Sequence, residues 1–210
     1  QLTGFALFLE DRDHSIRMQE YLPARWIQNY AARGPLPAAK QNEFYAFQIG
    51  VYALKDMVIT PKSVTWGELK GHGDAKGETL PASAIRCFNT TGVDCLGEPF
   101  TKTITVKAGR VQALWFGVDL PPNIKPGIYR TTVSVTGNTT GTSCVCNVQF
   151  VVTPGVLEDR GDSNPRKMTR LRWLDSKIGL TDTPPAPFTP IKVGMTKTGW
   201  TLDILGRSII

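Results

Sequence analysis

Apolar and polar residues alternate with a period of two along much of this chain, and proline and glycine separate the runs that carry the alternation. Successive side chains of an extended backbone point to opposite faces, so this period predicts strands. The clearest stretch is residues 121–136, PPNIKPGIYRTTVSVT. Pro121, Pro122 and Pro126 restrict a turn, and Gly127 permits a sharp entry. Tyr129, Thr131, Val133 and Val135 then alternate with Arg130, Thr132 and Ser134. Residues 143–152 supply a second strand, paired with the first across a GNTTG turn.

Residues 43–54, EFYAFQIGVYAL, form the strongest core strand of the first half, with Phe47, Ile49 and Val51 on one face and Phe44, Ala46 and Gln48 on the other. Shorter elements are expected over 4–9, 16–21 ahead of Pro23, 58–66 with Pro61 at an edge or bend, and 100–106. In residues 110–118, RVQALWFGV, Trp115 and Phe116 point to opposite faces, so one belongs to the core. AARGPLPAAK at 31–40 reads as a connector, and the polar, glycine-rich residues 67–81 as a surface excursion. After Pro154, residues 157–172 are charged and interrupted, 181–190 carry four prolines, and 200–210 read as a strand, a Gly206 turn and a further strand. The pattern predicts an all-β chain: a β-sandwich, immunoglobulin-like or related, with proline-rich extensions. Its expected parts are an N-terminal strand and connector packed on the sandwich (1–41), the sandwich core (42–155) and an extended C-terminal segment leading toward a downstream domain (156–210).

Composition agrees with many turns, since 15 prolines and 20 glycines accompany only 20% charged residues. The net charge of +6 is moderate and its basic residues are scattered, which argues against nucleic acid as a partner. No apolar run approaches the roughly 20 residues of a membrane span, and the first residues lack a signal-peptide pattern. Gln1 in place of Met suggests a processed product or fragment, and the abrupt end at 200–210 suggests a longer natural chain.

Four cysteines, Cys87, Cys95, Cys144 and Cys146, leave three readings open. Cys87 and Cys95 bracket CFNTTGVDC and could close a short disulfide loop, or they could cross-pair with the other two. Free core thiols are the second reading. Metal binding is the third, although Cys-x-Cys on a strand lacks knuckle spacing and no histidine is near. Sequons at Asn89 and Asn138 lie in the same polar loops and favour glycosylation, disulfides and a secreted or extracellular location.

Catalytic signals are sparse. Asp11/Asp13, Asp74/Glu78 and Glu158/Asp159/Asp162 sit in turn-like sequence where charges are normally solvated. His14 and His72 lie in polar surroundings without a nucleophile partner, and no nucleophile elbow or phosphate loop is present. No catalytic residue, cofactor or metal is therefore assigned. RLRWLD at 170–175 is the exception in character: if extended, it presents Arg170 and Arg172 on one face and Leu171 and Trp173 on the other. Arg170, Arg172, Trp173 and Asp175 are the candidate contacts to a carbohydrate or an adjoining domain. Trp173, Trp115 or Trp66 could stack on a pyranose, and Asp175 could hold a neighbouring arginine.

Several dispersed segments point further: EDRDHSIRMQEYLP (10–23), NEFYAFQIGVYAL (42–54), IRCFNTTGVD (85–94), VQALWFGVDLP (111–121), PGIY (126–129), and DRGDS (159–163) followed by RLRWLDSKIG (170–179). In this order they resemble the N-terminal β-sandwich region of glycoside hydrolase 123-like proteins and related domains of unassigned specificity. The resemblance implies a larger protein whose (β/α) barrel, downstream of the sandwich, carries the acids that assist the substrate's acetamido group in retaining cleavage of an N-acetylhexosaminide. That acidic pair does not map onto this chain, and a barrel needs roughly 250 residues. The expected role is thus a non-catalytic sandwich supporting or partly lining a carbohydrate-active site. The expected partners are the downstream domain of the same precursor or a separated chain, and a glycan. The alternative is an adhesion or structural module of a cell-surface or extracellular assembly.

Overall fold

A computed structural model describes residues 4–32, 34–137, 141–197 and 199–209. They form two units, residues 1–176 and 177–210. The first unit opens with β1 (Phe5–Glu10), helix α1 (Ala24–Ala32), β2 (Ala39–Gln41), β3 (Phe44–Ala53), β4 (Met57–Ile59), β5 (Val64–Trp66), β6 (Leu69–His72) and β7 (Thr79–Leu80). It continues with β8 (Ile85–Cys87), β9 (Thr91–Val93), β10 (Pro99–Thr101), β11 (Ile104–Val106), β12 (Val111–Asp119), β13 (Gly127–Thr136) and β14 (Ser143–Val156).

One sheet has the order β1-β3-β12-β8, and a second runs β2-β14-β13-β6-β7, with β5 also pairing with β13. All of these pairs are antiparallel except β14 with β2. The alternation of the sequence sorts the side chains into one shared core. Tyr45, Phe47, Ile49, Leu114 and Phe116 of the first sheet meet Val133, Val135, Val148 and Phe150 of the second. Tyr45 stacks on Phe150 with ring centroids 4.5 Å apart, and Trp66 stands edge-on to Phe116 at 5.7 Å. The architecture is all-β and sandwich-like. Each large apolar side chain so enclosed contributes about 1.5–3 kcal/mol.

The expected β13–β14 hairpin forms, with a register that runs from Gly127 opposite Val152 to Thr136 opposite Ser143. Residues 138–140 at its tip lie outside the described residues, so Asn138 has no structural account. Tyr129 closes the proline turn by donating from Oη to the Lys125 carbonyl at 2.8 Å. Phe116 is the core member of the Trp115/Phe116 pair.

Other segments differ from the sequence expectation. Residues 16–21 form no regular element, whereas a helix follows Pro23 where none was expected. The excursion at 67–81 contributes β6 and β7 to the second sheet, with Leu69 and Ala75 fully buried. Most consequential is β3, buried on both faces rather than one. Its outer side is covered by residues 11–22 and α1, where Phe8, Ile16, Trp26 and Val111 form a second apolar cluster. Gly50 gives Phe8 room there: a β-carbon on Gly50 would fall 2.0 Å from the Phe8 ring, and one on Gly117 would fall 2.2 Å from Phe44.

The expected disulfides are a correction, since all four cysteines are free thiols. Cys87 is buried in β8 opposite Phe116, whereas Cys95 is exposed in the turn after β9, so the short loop does not close. Cys144 and Cys146 do share a face of β14, where Cys146 is buried and Cys144 donates to the Phe5 carbonyl at 3.7 Å. Burial pushes the Cys146 thiol up to about 12, and those of Cys87 and Cys144 in the same direction. These groups are therefore protonated and unreactive at neutral pH.

The second unit is a meander of β15 (Lys192–Thr196), β16 (Gly199–Ile204) and β17 (Arg207–Ile209). Its register pairs Met195 with Trp200, Val193 with Leu202, and Leu202 with Ile209, so these five residues share one face, and all are exposed. Among the described residues no helix is long and apolar enough to cross a membrane.

Candidate functional site

Residues 157–176 return to the first sheet as three short 3₁₀ turns, Glu158–Gly161, Pro165–Lys167 and Thr169–Trp173. The RLRWLD segment is consequently turned, not extended, and its two arginines do not share a strand face. Both guanidiniums instead lie by the same ring, Arg170 at 5.6 Å and Arg172 at 5.9 Å from the Trp173 centroid. Asp162 organises the turn. It accepts from Thr169 Oγ1 at 3.0 Å and pairs with Arg172, while its carbonyl accepts from Arg170 Nε at 3.0 Å. Trp173 remains 44% exposed.

A second group links this strap to β8 and β12. Arg86 donates to the Asp175 carbonyl at 2.8 Å and lies 3.9 Å from its carboxylate, with its guanidinium 5.2 Å from the Phe44 ring. Asp119 pairs with both Arg86, at 3.8 Å, and Arg160. The structure thus brings the four candidate residues to one end of the first sheet. Trp66 and Trp115 lie elsewhere. Trp66 packs against the core and donates to the Ala82 carbonyl at 2.9 Å, and Trp115 is half-buried in β12. Asn89 is half-buried and accepts from the Trp115 amide at 2.6 Å.

Sequence reasoning missed two deeper clusters. Glu43 is wholly buried and binds Arg12, the Lys40 amide at 2.8 Å and Lys167 Nζ at 3.1 Å, tying the N-terminal loop, the turn into β3 and the strap together. Glu10, equally buried, accepts from Arg25 Nε at 2.9 Å and Asn29 Nδ2 at 3.2 Å. Asp11, expected in a solvated turn, is 5% exposed because Oδ1 accepts the amides of Asp13 and His14 and Gln48 holds the loop from below. Glu10, Asp11 and His14 bring ligand-type atoms within 4.8 Å of one another. Arg25 already supplies positive charge there, 3.3 Å from both Asp11 Oδ2 and His14 Nδ1, so a metal ion would have to displace it. The hydrogen bond that Arg25 donates to Glu10 raises the Arg25 pKa above its ordinary value, against the opposing effect of burial and with help from the charges of Glu10 and Asp11. The one local signal for these clusters is the placing of Glu10 and Glu43 directly against apolar strand sequence.

The class so defined is an all-β, sandwich-like module whose buried carboxylates are held in ion pairs. No protein-family profile matches the chain, and no curated protein sequence matches it. Solved structures do. A family 123 glycoside hydrolase from Clostridium perfringens, studied for glycolipid glycan hydrolysis, superimposes with a TM-score of 0.52 at 15% identity over 74% of this chain. The chain spans 28% of that enzyme's length. The CooA pilin subunit of enterotoxigenic Escherichia coli (TM-score 0.37, 12% identity, 74% of this chain and 100% of the pilin) and the SrpA adhesin of Streptococcus sanguinis (0.34, 12%, 83% and 89%) overlap more loosely. The likeness to the hydrolase is one of fold.

Proposed function

We propose that this chain is a non-catalytic β-sandwich module of a larger extracellular protein, and that it positions a neighbouring, carbohydrate-active domain. The observation that carries the reading is the strap of residues 157–176. Three ion pairs, Arg86–Asp175, Arg160–Asp119 and Lys167–Glu43, pin it to the first sheet and to the turn into β3, and it presents Trp173 beside two guanidiniums where the first unit ends. A rigid scaffold of this kind fixes the approach of whatever follows, and small misplacements of a catalytic cleft cost large factors in rate. The fold likeness to part of a glycoside hydrolase supports the choice of chemistry for the neighbour. The ion pairs on Glu10, Glu43, Asp119 and Asp162 support a structural use for these carboxylates.

The test is reconstitution. The natural downstream region, joined to this module, is expected to hydrolyse an N-acetylhexosaminide, and Trp173→Ala with Arg172→Gln should lower that activity while the module stays folded. A downstream region that neither touches the module nor cleaves any glycoside ends this reading. The exposed apolar face of the second unit then favours the other one, an adhesion or structural module that docks through Val193, Met195, Trp200, Leu202 and Ile209.

A further inference from the structure

The second sheet changes register where β5 gives way to β6. Val64, Thr65 and Trp66 of β5 stand opposite Val135, Ser134 and Val133, whereas Lys70, Gly71 and His72 of β6 stand opposite Arg130, Tyr129 and Ile128. Continuing either register toward Thr132 shows that Gly67 and Glu68 together face that single residue. The step from β5 to β6 is a β-bulge, held by Gly67 N–H donating to the Thr132 carbonyl at 3.2 Å and Thr131 Oγ1 donating to the Gly67 carbonyl at 3.0 Å. Bulges bend a strand and re-aim its side chains. Here the bend leaves a groove of about 620 Å³ on the outer face, lined by residues of β6, β13 and β14 and by the bulge itself. That volume lies within the range of ligand sites.

The registers also dictate the groove's chemistry. Lys70, Arg130 and Gln149 form one row across three strands, and Thr132 and Asn147 form the next. Like charges placed directly opposite across a ladder are unfavourable. Lys70 and Arg130 are such a pair, and neither has a carboxylate partner among the described residues. Arg130 is oriented by Nε donating to Gln149 Oε1 at 2.6 Å, and His72 lines the same side. Glu68, on the bulge, is the acidic group in the lining. The floor therefore offers two adjacent cations beside a row of amide and hydroxyl groups, with no Phe, Tyr or Trp among its lining residues on which a base could stack.

We propose that this groove binds an acidic saccharide: Lys70 and Arg130 take its carboxylate or sulfate, and Gln149, Asn147 and Thr132 hydrogen-bond its hydroxyls. The site lies on the sheet opposite the strap and goes beyond the scaffold reading, because the 210-residue chain alone must bind. Calorimetry and amide chemical-shift mapping on that chain would use five probes: a sulfated uronate-containing disaccharide, its unsulfated form, a neutral disaccharide, inorganic sulfate, and a single-stranded oligonucleotide. The acidic disaccharides should bind at least tenfold more tightly than the neutral one, with shifts centred on residues 67–72, 130–132 and 147–149. The difference between the two acidic forms assigns the anion to sulfate or carboxylate. Lys70→Gln with Arg130→Gln should weaken binding at least tenfold, and Lys102→Gln, a distant exposed lysine, should leave it unchanged. Should the double variant fail to fold, Asn147→Ala, at an exposed position, is expected to weaken binding several-fold. The proposal is overturned by absence of binding, by an equal loss in Lys102→Gln, by shifts spread over unrelated basic surface, or by inorganic sulfate or a single-stranded oligonucleotide binding as tightly as the disaccharides.

Discussion

β3 and β13 are both ten-residue strands inside their sheets, and they differ in what lies behind them. Behind β3, residues 11–32 and the strap cover the sheet, so its outward Phe44, Ala46 and Gln48 are as buried as its core side. Behind β13 there is open surface, and Arg130 and Thr132 are exposed. A sheet covered on both faces needs near-continuous apolar sequence, as in FYAFQIGVYA, whereas one open to water keeps strict alternation, as in YRTTVSVT. The covered face uses its charges as internal ties, and the open face leaves its cations unpaired. The first arrangement holds a scaffold together; the second is available to a ligand.

The sharpest way to break this contrast is to remove a tie. Glu43→Ala would leave Arg12 and Lys167 without their buried partner and is expected to cost about 3–5 kcal/mol, read from urea denaturation midpoints. A loss below about 1 kcal/mol would place the cluster with ordinary surface pairs. Next comes Gly50→Ala, which forces the Phe8 ring off Trp26 and should cost about 1–3 kcal/mol, with a change in the near-ultraviolet signal of the tryptophans.

The third probe is pH. The folded Cys146 thiol is raised from an ordinary 9.0 to about 12, so between these values the unfolded chain binds fewer protons than the folded one. Its contribution to stability is complete below pH 9 and is lost as pH rises toward 12, by at most about 1.4 kcal/mol per pH unit. Wild type should therefore lose stability more steeply than Cys146→Ala from pH 9 to 11, and parallel curves would refute a desolvated thiol. The smallest effect belongs to the open face. Lys70→Gln relieves a like-charge pair and should raise stability by about 0.2–1 kcal/mol, the reverse of a substitution on the covered side.

Much of the architecture was legible in advance. The Gly127 hairpin, the shared face of Phe47, Ile49 and Val51, the opposite faces of Trp115 and Phe116, and the shared face of Cys144 and Cys146 all follow from a period of two. Helix α1 was not legible, because it is a nine-residue run in which Trp26 is the main buried contact while Ile27 and Tyr30 stay exposed. The strap was misread as extended because its 3₁₀ form depends on Asp162 and on residues of the first sheet. Glu43 looked like the polar start of a strand, since its partners Arg12 and Lys167 lie 31 and 124 residues away. The bulge at Gly67 needed the knowledge that β5 and β6 share one partner strand.

Sequence alone determined the main strands, which of their side chains share a face and the turns between them, because these follow from the local geometry of neighbouring side chains. Tertiary structure alone decided which outer face is covered, which carboxylates are tied and where two cations meet without a counter-charge. Those outcomes depend on non-periodic segments far apart in the chain, and their placement is set by the surface that the strands first create.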